Sequence, residues 1–283
     1  MNVQKNEIKS APAAVQDGKP LAPGKDLDVT MVRTIKRIVS RILSLSVELV
    51  VVVLASIVYP FAAVNFNPKL LPPTCKKVTI LVHGFLHNRT AWVYLKQRFE
   101  KHPELGPIFT INLGHPFQSI EDYTEKLKEQ IESIRRMSPD QELEFNLVGH
   151  SMGGLVCANF VACQPQDDPV HVANVVTISS PLKGTTVAKA GAFCPCAEEM
   201  EYSSPFVKNL QEKIALVTRT NFFYIGLDED VIVPKSRAFF GIHNHKEFKF
   251  LGHVTALLSP KVANYIIKCL RSKTVTHESV NRK

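Results

Sequence analysis

The chain has 283 residues, 45% of them hydrophobic and 21% charged, enough apolar material for a sizeable core, which excludes wholesale disorder and a small disulfide-knot scaffold. The net charge of +8 sits at the ends: residues 1–41 hold eight Lys/Arg against four Asp/Glu, residues 268–283 hold five against one, and residues 42–267 hold 21 of each. A neutral body offers no basic groove for nucleic acid, whereas basic tails suit an anionic membrane surface. The six cysteines, Cys75, Cys157, Cys163, Cys194, Cys196 and Cys269, lack the paired spacing of a metal site, so no metal is expected.

Residues 1 to about 29 are rich in Ala, Pro, Lys and Asp without apolar periodicity, and with the basic stretch of Arg33, Lys36, Arg37 and Arg41 that follows, residues 1–41 read as a flexible basic arm. Residues 42–64 are predominantly apolar with one charge, Glu48, long enough to span a bilayer, and read as a transmembrane signal anchor. Two alternatives stand beside it: a buried element of the soluble part, which Glu48 favours because a carboxyl in lipid is costly, and a cleaved signal peptide, which the long preceding arm disfavours. More basic residues flank the run on its N-terminal side, so the arm should stay inside and the rest should lie on the outer, periplasmic or luminal, side.

A Pro-containing linker, 65–75, leads to a second composition over 76–270, before a basic tail at 271–283. Short apolar runs alternate there with amphipathic segments, the pattern of an α/β fold. Val78 to Val82, Ile108 to Leu113, Phe145 to Val148, Val172 to Ile178 and Phe222 to Ile225 read as strands, and continuous apolar runs suit parallel strands buried on both faces. Between the second and third, Ser119 and Asp122 resemble a capping box. Ile120, Tyr123, Leu127, Ile131, Ile134 and Met137 then follow at helical spacing. Cys157 and Cys163 read as small apolar residues of one helix, and Val262 to Leu270 reads as the last helix.

The chemistry appears at Gly149-His150-Ser151-Met152-Gly153-Gly154, where a strand runs into G-x-S-x-G and then into an apolar helix. Small residues permit the sharp turn that lifts the Ser151 hydroxyl above the sheet at the positive end of the helix. A hydroxyl needs a base to take its proton, and the base needs a carboxylate to hold it, both expected later in the chain. Asp230 is preferred because it stands four residues before Pro234, with Asp228 as runner-up and Glu229 third. His253 is preferred as base because it follows an apolar run and precedes a helix, whereas His243 and His245 read as residues of a polar surface loop. His83 and His150 come too early in the chain and read as groups that orient backbone. The developing oxyanion needs two backbone donors, which map to Met152, after the nucleophile, and Phe85, after His83-Gly84 at the end of the first strand.

Val82-His83-Gly84-Phe85, the Ser151 motif, Ser179-Ser180-Pro181-Leu182-Lys183-Gly184-Thr185, Asp230 to Pro234 and Gly252-His253 together resemble the lipase/esterase group of α/β-hydrolases. The likeness covers about Lys76 to Leu270 and is similar both to compact triacylglycerol lipases and to inositol-deacylase-type esterases. It implies the α/β-hydrolase fold, a mostly parallel central sheet with helices on both faces and a small cap, here preceded by an N-terminal hydrophobic helix. His87 departs from the glycine that many relatives carry there. Only Lys183 to Thr220 is available as a cap, which implies an open site. Its acyl cleft is expected along Leu86, Trp92 and Leu155 near Phe85, with Trp92 serving equally well as core. The expected activity is hydrolysis of carboxylic, chiefly lipid, esters through an acyl-enzyme, without a cofactor and with a membrane as partner. Acyl transfer or thioester cleavage by the same residues is the alternative, and a non-catalytic membrane scaffold is a second. The sequon Asn88-Arg89-Thr90 adjoins the oxyanion loop and reads as incidental.

Overall fold

The computed structural model describes residues 71–272 apart from 139–141, 166, 192–193 and 242–243, together with Val29 and residues 31–36, 38–39, 42, 46 and 50. Of two compact units, the first, Met1–Ile38, contributes only helical residues among those described; the fold below belongs to the second, Val39–Lys283. The apolar run 42–64 lies almost wholly outside the described residues. Among the described residues no helix is long and apolar enough to cross a membrane.

Chain order is β1 (Lys77–Val82), α1 (Val93–Phe99), β2 (Ile108–Thr110), α2 (Ile120–Arg136), β3 (Glu144–His150), α3 (Met152–Ala162), β4 (His171–Ile178), α4 (Pro195–Glu199), α5 (Pro205–Ala215), β5 (Asn221–Leu227), α6 (Lys235–Ala238), β6 (His245–Phe248) and α7 (Pro260–Leu270). The strands form one sheet in the order β2-β1-β3-β4-β5-β6, and every pair is parallel. Parallel strands must be covered on both faces, and the side chains alternate accordingly. Val78, Ile80, Val82, Phe145, Leu147 and Val175 enter one core with α2 and α3. Leu81, Val148 and Val176 enter another with α1 and α7. The capping box at Ser119 and Asp122 is formed in both directions, fixing the start of α2.

The structure departs from three expectations. Lys183 to Thr220 is not all cap, because Val207, Leu210 and Ile214 of α5 are buried. Leu210 and Ile214 join the α2/α3 core, so α5 works as the crossover between β4 and β5. His245 is not a loop residue: it opens β6, a half-exposed polar strand at the sheet edge, and pairs in register with Tyr224; His243 lies outside the described residues. Cys157 is buried in α3 as expected, but Cys163 is exposed at the end of that helix, beside Lys213 Nζ at 3.5 Å.

The strand order reverses direction at β1, which sends β2 to one side and receives β3 on the other. Open parallel sheets build ligand sites beyond the carboxyl ends of the strands at such a switch point. The β1 end carries His83 to Phe85, and the β3 end carries Ser151.

Candidate active site

Ser151 stands between the last residue of β3 and the first of α3 with φ +53° and ψ −126°, a conformation that non-glycine residues rarely hold and that costs of order 1–3 kcal/mol. Its N–H donates to Ile178 O on β4 at 2.9 Å. The turn closes only because its neighbours lack side chains. A Cβ on Gly153 would lie 2.2 Å from Val82 O, and one on Gly154 would lie 1.9 Å from Ser180 Oγ. The G-x-S-x-G-G spacing is thus a packing requirement between α3, β1 and the end of β4.

Two distant loops meet this hydroxyl. His253 Nε2 lies 2.9 Å from Ser151 Oγ, and His253 Nδ1 lies 2.8 Å from Asp230 Oδ2. All three residues are buried, with the Asp230 side chain wholly so. Asp230 Oδ1 accepts the N–H groups of Ile232 and Val233, each at 2.8 Å. Oδ2 accepts the Ser179 hydroxyl in addition to His253. Four donors thus converge on a carboxylate taken out of water, which offsets its desolvation. The arrangement fixes Nδ1–H toward Asp230 and leaves the Nε2 lone pair to the serine hydroxyl.

Of the competing carboxylates, Asp228 is engaged elsewhere, since its Oδ1 accepts the Phe250 N–H at 2.6 Å. The backbone N–H of Glu229 donates to Leu251 O, so both residues tie down the segment that delivers His253. Ser179 is a neighbour of Asp230 that sequence reasoning did not single out. Its only signal was the serine-proline motif at the end of β4.

Three further histidines, His83, His87 and His150, surround the site, and burial lowers the basicity of each. His83 Nε2 accepts the Leu113 N–H at 3.1 Å and its Nδ1–H donates to Gly84 O at 2.9 Å, joining the loops after β1 and β2. Burial lowers its pKa to about 4. His150 Nε2–H donates to the carbonyl of His253 at 2.9 Å and its ring lies 4.8 Å from the His253 ring. Burial pushes its pKa well below the usual value. His87 stacks on His150 at 5.8 Å, and burial, with His83 and His253 nearby, lowers its pKa to about 4.

A pH dependence follows with a definite sign. An unfolded histidine takes up a proton below about 6.5, whereas folded His83 and His87 resist until about 4. Their contribution to stability is therefore complete above pH 6.5 and shrinks as pH falls toward 4. At pH 5 each should have lost roughly 2 kcal/mol. Urea unfolding at pH 7 and pH 5 measures this, and equal midpoints at the two values would contradict it.

A Cβ on Gly84 would lie 2.9 Å from Ser151 Cβ, so the backbone entering Phe85 passes directly over the serine. Met152 begins α3, and its N–H has no partner within the helix. Both expected oxyanion positions thus border the hydroxyl. The expected acyl-cleft residues divide. Leu86, half exposed, lines a cavity of only about 10 Å³ with Phe85, His87, Leu113, Tyr123 and Met152, room for about one water-sized sphere. Trp92 and Leu155 are fully buried, Trp92 in the α1/α7 core and Leu155 in the α2/α3 core. Neither has surface to offer a substrate, so the cleft expectation is corrected at both. Asn88 is also buried and its Oδ1 caps the short helix at Arg89–Trp92, which leaves no room for a glycan. Among the described residues no group of three His, Cys, Asp or Glu side chains could hold a metal ion.

Residues 78–220 match the sequence model of a family described as palmitoyl protein thioesterase. The matched span contains Phe85, Ser151 and Met152, but ends before Asp230 and His253. A comparison with curated protein sequences finds no match. Among solved structures, the Legionella pneumophila phospholipase PlaB in complex with thio-NAD is similar with a TM-score of 0.58 at 13% identity over 73% of this chain and 60% of that one. The mature Bacillus licheniformis lipase BlEst2 is similar with a TM-score of 0.57 at 15% identity over 72% of this chain and 96% of that one. Aspergillus fumigatus lipase B gives 0.58 at 16% identity over 74% and 57%. The chain thus spans about 60% of the Legionella phospholipase, and at these identities the likeness is one of fold.

Proposed function

The chain belongs to the palmitoyl protein thioesterase family, of the lipase, esterase and thioesterase type of α/β-hydrolase, and from that premise we propose that it hydrolyses acyl esters through an acyl-enzyme on Ser151. The observation that carries the reading is the run of contacts from Ser151 Oγ through His253 to Asp230, at 2.9 and 2.8 Å. His253 Nε2 takes the hydroxyl proton as Oγ attacks the acyl carbonyl, and the Phe85 and Met152 amides receive the oxyanion. The resulting imidazolium gives its proton to the leaving oxygen as the bond to the acyl carbon breaks. Water then enters, loses a proton to His253, attacks the acyl-enzyme and releases the acid, returning the proton to Ser151.

A second reading, cleavage of a thioester by the same steps, is favoured by the family match. A thiolate leaves without needing a full proton, so the two readings differ in how strongly turnover depends on His253 as acid. The cavity beside Phe85 and Leu86 is too small for an acyl chain, so substrate entry requires those two side chains to move aside. Fluorophosphonate labelling followed by a panel of matched oxygen esters and thioesters of graded chain length tests both. Labelling at Ser151 with turnover of either set supports a serine hydrolase, and absence of labelling in folded protein counts against it.

For location, residues 42–64 are proposed as an anchor that holds the catalytic part on the outer face of a membrane. Alkaline carbonate should then leave the full-length protein in the membrane fraction. A chain starting near Lys69 should be released and keep its turnover of short esters within about twofold, because all the residues assigned above lie beyond residue 80. A folded, soluble truncation without activity would mean that the apolar run packs against the hydrolase.

A further inference from the structure

Each loop that converges on Ser151 carries a large apolar side chain in solvent. Leu86 follows Phe85, Val231 follows Asp230, and Phe250 and Leu258 flank His253; they are 51%, 48%, 61% and 49% exposed. Leu86 and Val231 stand one residue, about 3.8 Å of chain, from Phe85 and Asp230. Phe250 lies two residues past the carboxyl end of β6, and Leu258 adjoins Ser259 and Pro260, which line one groove with Phe250, so the four belong to the loops at the end of the sheet that carries Ser151. Single exposed apolar residues need no explanation, but four on the rim of one site do. Phe250 adds a second observation, since it holds φ +61°, an outlying conformation for a bulky residue. Asp228 secures it by accepting its N–H at 2.6 Å.

Beside Phe250 the lining charge is chiefly basic. An open groove of about 540 Å³ runs past Phe250, Leu251 and Pro260, and Lys246, Lys249 and Lys261 line it. Its only carboxylate, Glu247, is already paired with Lys235 at 2.6 Å. Lys246 Nζ lies 5.8 Å from the Phe248 ring centroid, a cation–π distance that holds the ammonium of an exposed lysine beside that ring.

We propose that this rim seats the catalytic face on a bilayer carrying anionic lipid, with the tips of Leu86, Val231, Phe250 and Leu258 in the headgroup boundary and the three lysines on lipid phosphates. Apolar tips ringed by lysines satisfy both layers of such an interface. Four tips on three loops suit a soft, continuous surface better than a folded partner, which would need a matching socket for each. The inference concerns where the face sits and holds whichever acyl group is cleaved.

The test reads position rather than activity. Trp92 is the only tryptophan and is fully buried, so Phe250→Trp adds one reporter to the full-length chain, and Leu258→Trp serves if the first variant fails to fold by circular dichroism. Leu216→Trp, 77% exposed after α5 and away from the rim, is the control. In phosphatidylcholine–phosphatidylglycerol vesicles with brominated acyl chains, F250W emission should fall about twofold or more while L216W stays at the wild-type level. Reversing Lys249 and Lys261 to Glu should weaken the contact by at least about fivefold per lysine. Quenching of F250W no greater than that of L216W overturns the proposal. So does equal quenching with phosphatidylcholine alone, which would remove the role of anionic lipid. A blue shift that appears without vesicles and grows with protein concentration would assign the rim to a second copy of the chain and overturn it as well.

Discussion

Replacing Ser151 by alanine is expected to abolish fluorophosphonate labelling and to lower ester turnover by roughly 10⁶-fold, while the fold survives. The chemical loss is complete because among the described residues no other hydroxyl meets His253 Nε2: the Ser179 hydroxyl faces Asp230 Oδ2, behind the imidazole, and the Ser180 hydroxyl faces Ile178 O and packs on Gly154. The fold survives because alanine keeps the Cβ that packs near Gly84 and deletes only the hydroxyl. The backbone anchor from the residue 151 N–H to Ile178 O is untouched. Stability should therefore change by less than about 1 kcal/mol, read from a urea midpoint. Undiminished labelling of folded S151A protein would remove Ser151 from the role of nucleophile and leave the strained turn without an assigned use.

The parts of this site that the sequence announces are those dictated by steric necessity. Gly149, Gly153 and Gly154 are visible because any side chain there meets backbone or Ser180, and β1, β3 and β4 are visible because burial on both faces demands predominantly apolar runs. The start of α2 is visible for a different reason, a reciprocal cap whose two residues lie three apart. What stays hidden depends on direction or on distant pairing. Trp92 and Leu155 sit close in sequence to the functional loops, yet hydrophobicity says nothing about which way a side chain points, and both point into core. β6 is hidden because an edge strand with half its surface in water needs no apolar pattern: its sequence is His-Lys-Glu-Phe. Ser179 is hidden because its partner lies 51 residues away, and no local pattern encodes a meeting across two strands. The choice among Asp228, Glu229 and Asp230 likewise needs the loop's geometry, since all three have the right chemistry and it is Asp230 that bonds the imidazole.

That choice gives the second large effect: Asp230→Asn should lower turnover about 10⁴-fold, while Asp228→Asn should change it less than about tenfold. Asp230 accepts on both oxygens, two backbone N–H groups on Oδ1 and the His253 ring with the Ser179 hydroxyl on Oδ2. An amide has one acceptor oxygen. If that oxygen keeps Ile232 and Val233, the amide NH₂ faces His253 Nδ1, which must then become an acceptor, so the ring proton moves to Nε2 and points at the hydroxyl it should deprotonate. If the amide flips, its NH₂ meets two backbone N–H groups, and the loop that presents residue 230 is pushed open. Either way the base is lost while the residue keeps its size. Asp228, by contrast, uses one oxygen for one N–H, that of Phe250, and an asparagine oxygen can still accept it. Measuring turnover of the two variants with a short soluble ester separates them. A damaged D228N with a nearly intact D230N would transfer the carboxylate role to Asp228. The segment from Lys249 to His253 would then have to shift during reaction, because in the structure Asp228 holds its backbone and does not touch the imidazole.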